Sequence, residues 1–138
     1  DYFELLKIEF TSGSDLTPRA CAKIRKGTVL AQAQSDGDGP VNAAVEAIKE
    51  AANLPDVRVV DYSISAITSG SDAQGRVNIR IERNGCLALG QFTHTDIVVA
   101  SAKAFVSALN TLNYQVELTR KASATAQDCK SSAEIGVS

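Results

Sequence analysis

Few side chains in this 138-residue chain have the type and spacing to do chemistry. His94 is the only histidine, so a two-histidine metal site is excluded. Ser35, His94 and Asp96 supply the residue types of a nucleophilic triad, but no strand–turn–helix elbow presents a serine. His94 with Cys86 supplies the types of a thiol–imidazole pair. Against this, His94 lies just before a helix start and reads as a polar turn residue. Cys21, Cys86 and Cys129 are odd in number and lack CxxC spacing, which argues against a zinc site or a disulfide framework. They read as small residues of a reducing cytosol, Cys21 and Cys86 in strand-like stretches.

Gly37-Asp38-Gly39-Pro40 is the most informative local feature. It stands where a helix should start, and a helix amino terminus offers unpaired N–H groups and partial positive charge to an anion. The Gly-Lys-Ser/Thr ending of a phosphate loop is absent, and the spacing is wrong for a dinucleotide fingerprint. Asp36 and Asp38 would repel a phosphate. A zwitterion, with an ammonium and a carboxylate, suits the mixture better. The competing reading is a plain tight turn with capping residues.

The bulk composition narrows the classes. A net charge of −2 with interspersed signs gives no basic stripe for nucleic acid. The apolar runs are too short to cross a bilayer. The start shows no signal peptide, and Asp1 in first place suggests a fragment. The expectation is therefore cytoplasmic, with neither nucleic acid nor membrane as partner. The length suits one domain, which would bury roughly 65–70% of the surface exposed by its unfolded chain.

The elements that must position these residues come as a repeat. Thr11-Ser12-Gly13-Ser14-Asp15 recurs as Thr68-Ser69-Gly70-Ser71-Asp72, a shift of 57 (68 − 11). In the same register Arg19 falls on Arg76, Ile24 on Ile81, Gln34 on Gln91, Ala47 on Ala104 and Asn53 on Asn110. In the first copy Leu6, Ile8 and Phe10 alternate as one strand, Ala20, Ala22 and Ile24 as a second, Ala31 and Ala33 as a third. A helix then starts at Pro40, capped by Asp36 or Asp38, with Val41, Ala44, Val45, Ile48 and Ala52 as its apolar stripe. In the second copy Val60, Tyr62, Ile64 and Ala66 make a strand, and Val77, Ile79 and Ile81 the next. Asn84-Gly85 is a hairpin turn, Cys86 to Leu89 a third strand. A helix opened by Thr95 or Asp96 runs to about Leu109 and is apolar nearly all round, so it should be the more buried of the two.

The fold expected is α+β: two antiparallel βββα units related by a pseudo-two-fold axis, their helices packed together. Residues 1–114 form the domain, with copies at 1–56 and 57–114. Residues 115–138 lose periodicity and read as a flexible tail.

At these residues the chain resembles the carboxy-terminal regulatory domain of the 2-isopropylmalate and citramalate synthases. Three stretches carry the likeness, Ser35 to Ala44, Asp61-Tyr62 with Ala66 to Gly75, and Thr95 to Ala104, within residues 1–113. The resemblance implies a homodimer that binds leucine or isoleucine, with leucine favoured, and feedback inhibition of an N-terminal catalytic TIM barrel of the same chain. It implies an effector pocket of Gly37, Asp38, Gly39, Val41 and Asn42 at the helix start, Val59, Tyr62 and Ala66 on the fourth strand, and Ala73 and Gly75 after the second Thr-Ser-Gly-Ser-Asp turn. No catalytic or metal-binding residue is assigned. The divalent metal and acetyl-CoA of the parent enzyme would belong to the absent barrel. The alternatives are an isoleucine-sensing citramalate synthase domain, a dimerisation module without a ligand, and a small enzyme using His94 and Cys86.

Overall fold

A computed structural model describes residues 2–69 and 72–122, and side chains at 2–11, 13–66 and 74–115. The chain order is β1 (Phe3–Gly13), β2 (Leu16–Lys26), β3 (Val29–Asp36), α1 (Pro40–Ala52), β4 (Arg58–Ser69), β5 (Asp72–Arg83), β6 (Cys86–His94) and α2 (Ile97–Ala122). The strands form two antiparallel sheets, β1-β2-β3 and β4-β5-β6. Helix α1 packs on β2 and β3, and α2 on β5 and β6. The helices touch each other, and α2 also reaches β1. This is the duplicated βββα architecture that the periodicity predicts. No described helix is long and apolar enough to cross a membrane.

Local chemistry sets the turns. Asn84 and Gly85 link β5 to β6, both with positive φ (54° and 84°) as a type I′ turn demands. Gly27, φ 64°, does the equivalent work between β2 and β3. The central strands alternate as expected, with Ala20, Ala22 and Ile24 on β2 and Val77, Ile79 and Ile81 on β5 all buried. Small residues then let helices sit close. A Cβ on Gly90 of β6 would collide with the backbone carbonyl of Ala104 on α2. The expectation that α2 is deeply buried holds for Ala100 to Leu109, apart from Lys103 and Ser107.

The first strand of each copy departs from simple alternation. Leu5 lies opposite Ile24 but Lys7 opposite Lys23, so a bulge falls at Leu6. Val59 lies opposite Ile81 but Asp61 opposite Arg80, so a bulge falls at Val60. Leu6 and Val60 therefore leave the core-facing rows in which the alternation put them, and Leu5 and Val59 take their places. The two bulges are structurally equivalent, because β2 and β5 match at an offset of 57 (81 − 24) while β1 and β4 match at 54 (59 − 5). The ungapped repeat thus describes β2 through α1, and β1 is slid by three residues. A cross-strand ion pair sits beside each bulge with its signs exchanged, Glu4 with Arg25 and Arg58 with Glu82.

The helix ends differ from expectation in two respects. The cap of α1 is Gly39 in extended backbone, with no side-chain cap. Asp36 is instead engaged by Arg19 Nε at 2.8 Å, and the Asp38 N–H donates to Asn42 Oδ1 at 3.1 Å. Asp96 caps α2 as predicted, accepting from the N–H groups of Val98 and Val99 at 2.8 and 3.2 Å. Helix α2 then continues to Ala122, past Leu109. Its added turns carry Asn110, which accepts from Phe3 N at 2.7 Å and donates to Phe3 O at 2.9 Å, tying β1 to α2. Residues 123–138 of the expected tail lie outside the described residues. Cys21 is a free, half-buried thiol, whereas Cys86 is buried and disulfide-bonded, against the expectation of reduced cysteines throughout.

Candidate functional site

The inner face of β4 is left open because α2 covers β5 and β6, while α1 is too short to lie over β4 as α2 lies over β1. Between α1 and β4 is a cleft of about 530 Å³. Val41, Asn42, Val45, Glu46 and Lys49 line it from α1, at one-turn spacing on one helix face. Arg58, Val59 and Tyr62 line it from β4, and Ile79 from β5. The bulge at Val60 brings this about. Without it Val59 and Tyr62, three residues apart, would point to opposite faces of the sheet.

The cleft has apolar walls and charges of both signs. Lys49 and Glu46 pair at 3.4 Å within α1, and Arg58 pairs with Glu82 across the strands. The amino terminus of α1, with no side chain capping it, adds partial positive charge at one end. Tyr62 is half-buried, and its hydroxyl lies 2.7 Å from Ser101 Oγ on α2. Ser101 is fully buried. A buried hydroxyl needs a partner, so this bond fixes the ring that forms the cleft wall.

Of the residues predicted for the site, Val41, Asn42, Val59 and Tyr62 meet in this cleft. Gly37, Asp38 and Gly39 form the turn leading into α1. Gly37 must be glycine, since a Cβ there would lie 2.5 Å from both Ala43 N and Asn42 Oδ1. Gly39 faces open space, with nothing within 4 Å of an added Cβ. Ala66 and Gly75 oppose each other further along the hairpin, on the face of Tyr62 but outside the cleft lining. Gly75 has a packing role, because a Cβ there would run into Ile97. Ala73 pairs with Thr68, and its side chain lies outside the described residues. The sequence reading missed Val45, Glu46, Lys49, Arg58 and Ile79. Val45 was visible only as core, although its spacing from Val41 places it on the same stripe.

The other candidate chemistry is dispersed. His94 Nδ1 accepts the N–H of Asp96 at 2.9 Å, a turn contact. The Asp96 carboxylate is occupied with the start of α2, so it does not orient His94. Cys86 and His94 stand at opposite ends of β6, about 26 Å apart at roughly 3.3 Å per residue. No thiol–imidazole pair forms.

The sequence profile of the LeuA allosteric (dimerisation) domain matches residues 1–113. This chain belongs to that family. It is 42% identical over 117 residues to the 2-isopropylmalate synthase of Nitrosospira multiformis, covering 85% of this chain and 23% of that protein. Identity is also 42% over 115 residues to that of Nitrosococcus oceani, covering 83% and 22%. For Heliobacterium modesticaldum it is 41% over 108 residues, covering 78% and 21%. The LeuA domain described here thus spans less than a quarter of the length of these relatives. Its family role is regulatory and dimerising.

Proposed function

We propose that this LeuA domain senses a branched-chain amino acid, leucine in preference to isoleucine, in the α1/β4 cleft, and so feedback-inhibits a 2-isopropylmalate synthase. The observation that carries the reading is the cleft itself. Val41, Val45, Val59 and Ile79 offer an apolar wall to a branched side chain, worth roughly 1.5–3 kcal/mol when buried. The helix start, Lys49 and Arg58 favour the carboxylate, and Glu46 the ammonium. Gly37, Asp38 and Gly39 set the approach to the helix start, and Gly39 leaves it unobstructed. Ala66 and Gly75 extend the same hairpin face with small residues.

A second copy of the chain would close this face. Val59 and Ile64 on the inner face of β4 are 40% and 49% exposed, an apolar row on an edge strand. The homodimer follows from covering that row, and the effector would be enclosed as the copies pair. The domain performs no condensation by itself in this reading. The divalent metal and acetyl-CoA belong to a catalytic TIM barrel on the amino-terminal side, whose activity changes because the effector binds its two states unequally.

Calorimetry with leucine and with isoleucine tests this. Leucine should bind in the micromolar range, more tightly than isoleucine, and Val59→Trp, which fills the cleft from an exposed position, should weaken it at least tenfold. Tighter isoleucine binding would make the domain of the citramalate synthase type. No heat from either amino acid would leave a dimerisation module alone.

A further inference from the structure

The β1/α2 side of the molecule carries a cleft that shares part of its lining positions with the α1/β4 cleft, with the charges at two of them exchanged. By the offset of the first strands, Glu4 is the counterpart of Arg58 and Leu5 of Val59. By the offset of the helices, Lys103 on α2 is the counterpart of Glu46 on α1. At these two positions a strand anion and a helix cation replace a strand cation and a helix anion, while Lys49 of α1 has the uncharged Val106 as its counterpart. Between β1 and α2 lies a cleft of about 570 Å³, lined by Glu4, Leu5, Phe92, Lys103, Val106 and Asn110 among others. Its size matches that of the α1/β4 cleft.

We propose that this cleft is a second site for an α-amino acid, bound with its polar ends reversed. The strand-side carboxylate of Glu4 faces the ammonium, and Lys103 on the helix takes the carboxylate. Glu4 is kept ionised by its hydrogen bond to Arg25, which holds its carboxyl below the usual carboxylate range. Lys103 Nζ lies over the Phe92 ring, 5.2 Å from its centre, and has no carboxylate within ion-pair distance among the described residues. Phe92, Leu5 and Val106 supply apolar wall between the two charges. Opposite charges on facing walls, with apolar surface between them, complement a zwitterion that carries an aliphatic side chain. The Asn110 clamp on Phe3 ties β1 to α2, which lowers the backbone ordering cost when the ligand enters.

This site stands apart from the α1/β4 cleft, so the two are separable by substitution. Calorimetric titration of the whole chain with leucine should give two binding events per chain. Lys103→Gln, at a partly exposed position, should weaken one event by at least tenfold and leave the other unchanged. Val59→Trp should do the converse. If only the event sensitive to Lys103→Gln is found, the second site stands and the α1/β4 reading fails. A single event that survives Lys103→Gln, or no event in the unsubstituted chain, overturns the proposal.

Discussion

Tyr62 and Ser101 are the pair on which the cleft wall depends. Tyr62→Phe leaves the Ser101 hydroxyl buried without its partner, and Ser101→Ala leaves the phenol without its own. Each should cost about 1–3 kcal/mol in denaturant unfolding, and the double variant less than the sum of the two. Leucine affinity should fall in both, because the ring loses its anchor. The family likeness made Tyr62 legible in the sequence. Ser101 was not, since a serine among alanines on an apolar helix looks like a small spacer until its partner is seen 39 residues away. A second residue-scale effect concerns acid. The hydrogen bond from Arg83 holds the Asp56 carboxyl below its ordinary value of 3.8. A depressed carboxylate contributes stability that is complete above the unfolded value and lost as pH falls through the lower folded one. Melting temperature measured from neutral pH downward should therefore drop less in Asp56→Asn than in the unsubstituted chain below about pH 4. The difference should shrink in high salt, because the pair is partly exposed.

At the scale of elements, close packing of sheet on helix makes the sharpest prediction. Gly90→Ala places a methyl group against the backbone of Ala104 and Ala108, which cannot rotate away. Overpacking of that kind costs about 1–3 kcal/mol, visible as a lowered melting temperature. Asn110→Ala should act differently. It frees both backbone groups of Phe3, so hydrogen exchange should speed up at the start of β1 while β5 keeps its protection. Turns and helix starts were legible, because Asn84-Gly85, Pro40 and Asp96 each have a local reason for their place. The bulges were not. Leu6, Ile8 and Phe10 alternate faultlessly in the sequence, and only the cross-strand partners show that Leu5 replaces Leu6 on the inner face. The far end of α2 was missed for another reason. Gln115 to Ala122 has no apolar period, yet it is rich in good helix formers and has no Gly or Pro to stop it.

For the whole molecule, duplication explains both the architecture and its asymmetry. Two copies of one unit give two sheets and two helices. The longer α2 reaches β1 and is clamped there, whereas α1 stops short and leaves β4 open. The apolar row on β4 predicts self-association, and Ile64→Asp should shift the chain from dimer toward monomer in sedimentation equilibrium. The repeat was readable as an offset of 57, but the slide of β1 by three residues was not, because the repeated Thr-Ser-Gly-Ser-Asp segments match in sequence while their strands pair differently. The proposed function requires leucine to enter between α1 and β4. Heteronuclear NMR of the isotope-labelled chain during leucine titration tests it most directly. Saturable shifts of the Val41, Asn42, Val59 and Tyr62 amides are expected. Saturating leucine that leaves these four amides unmoved would contradict it.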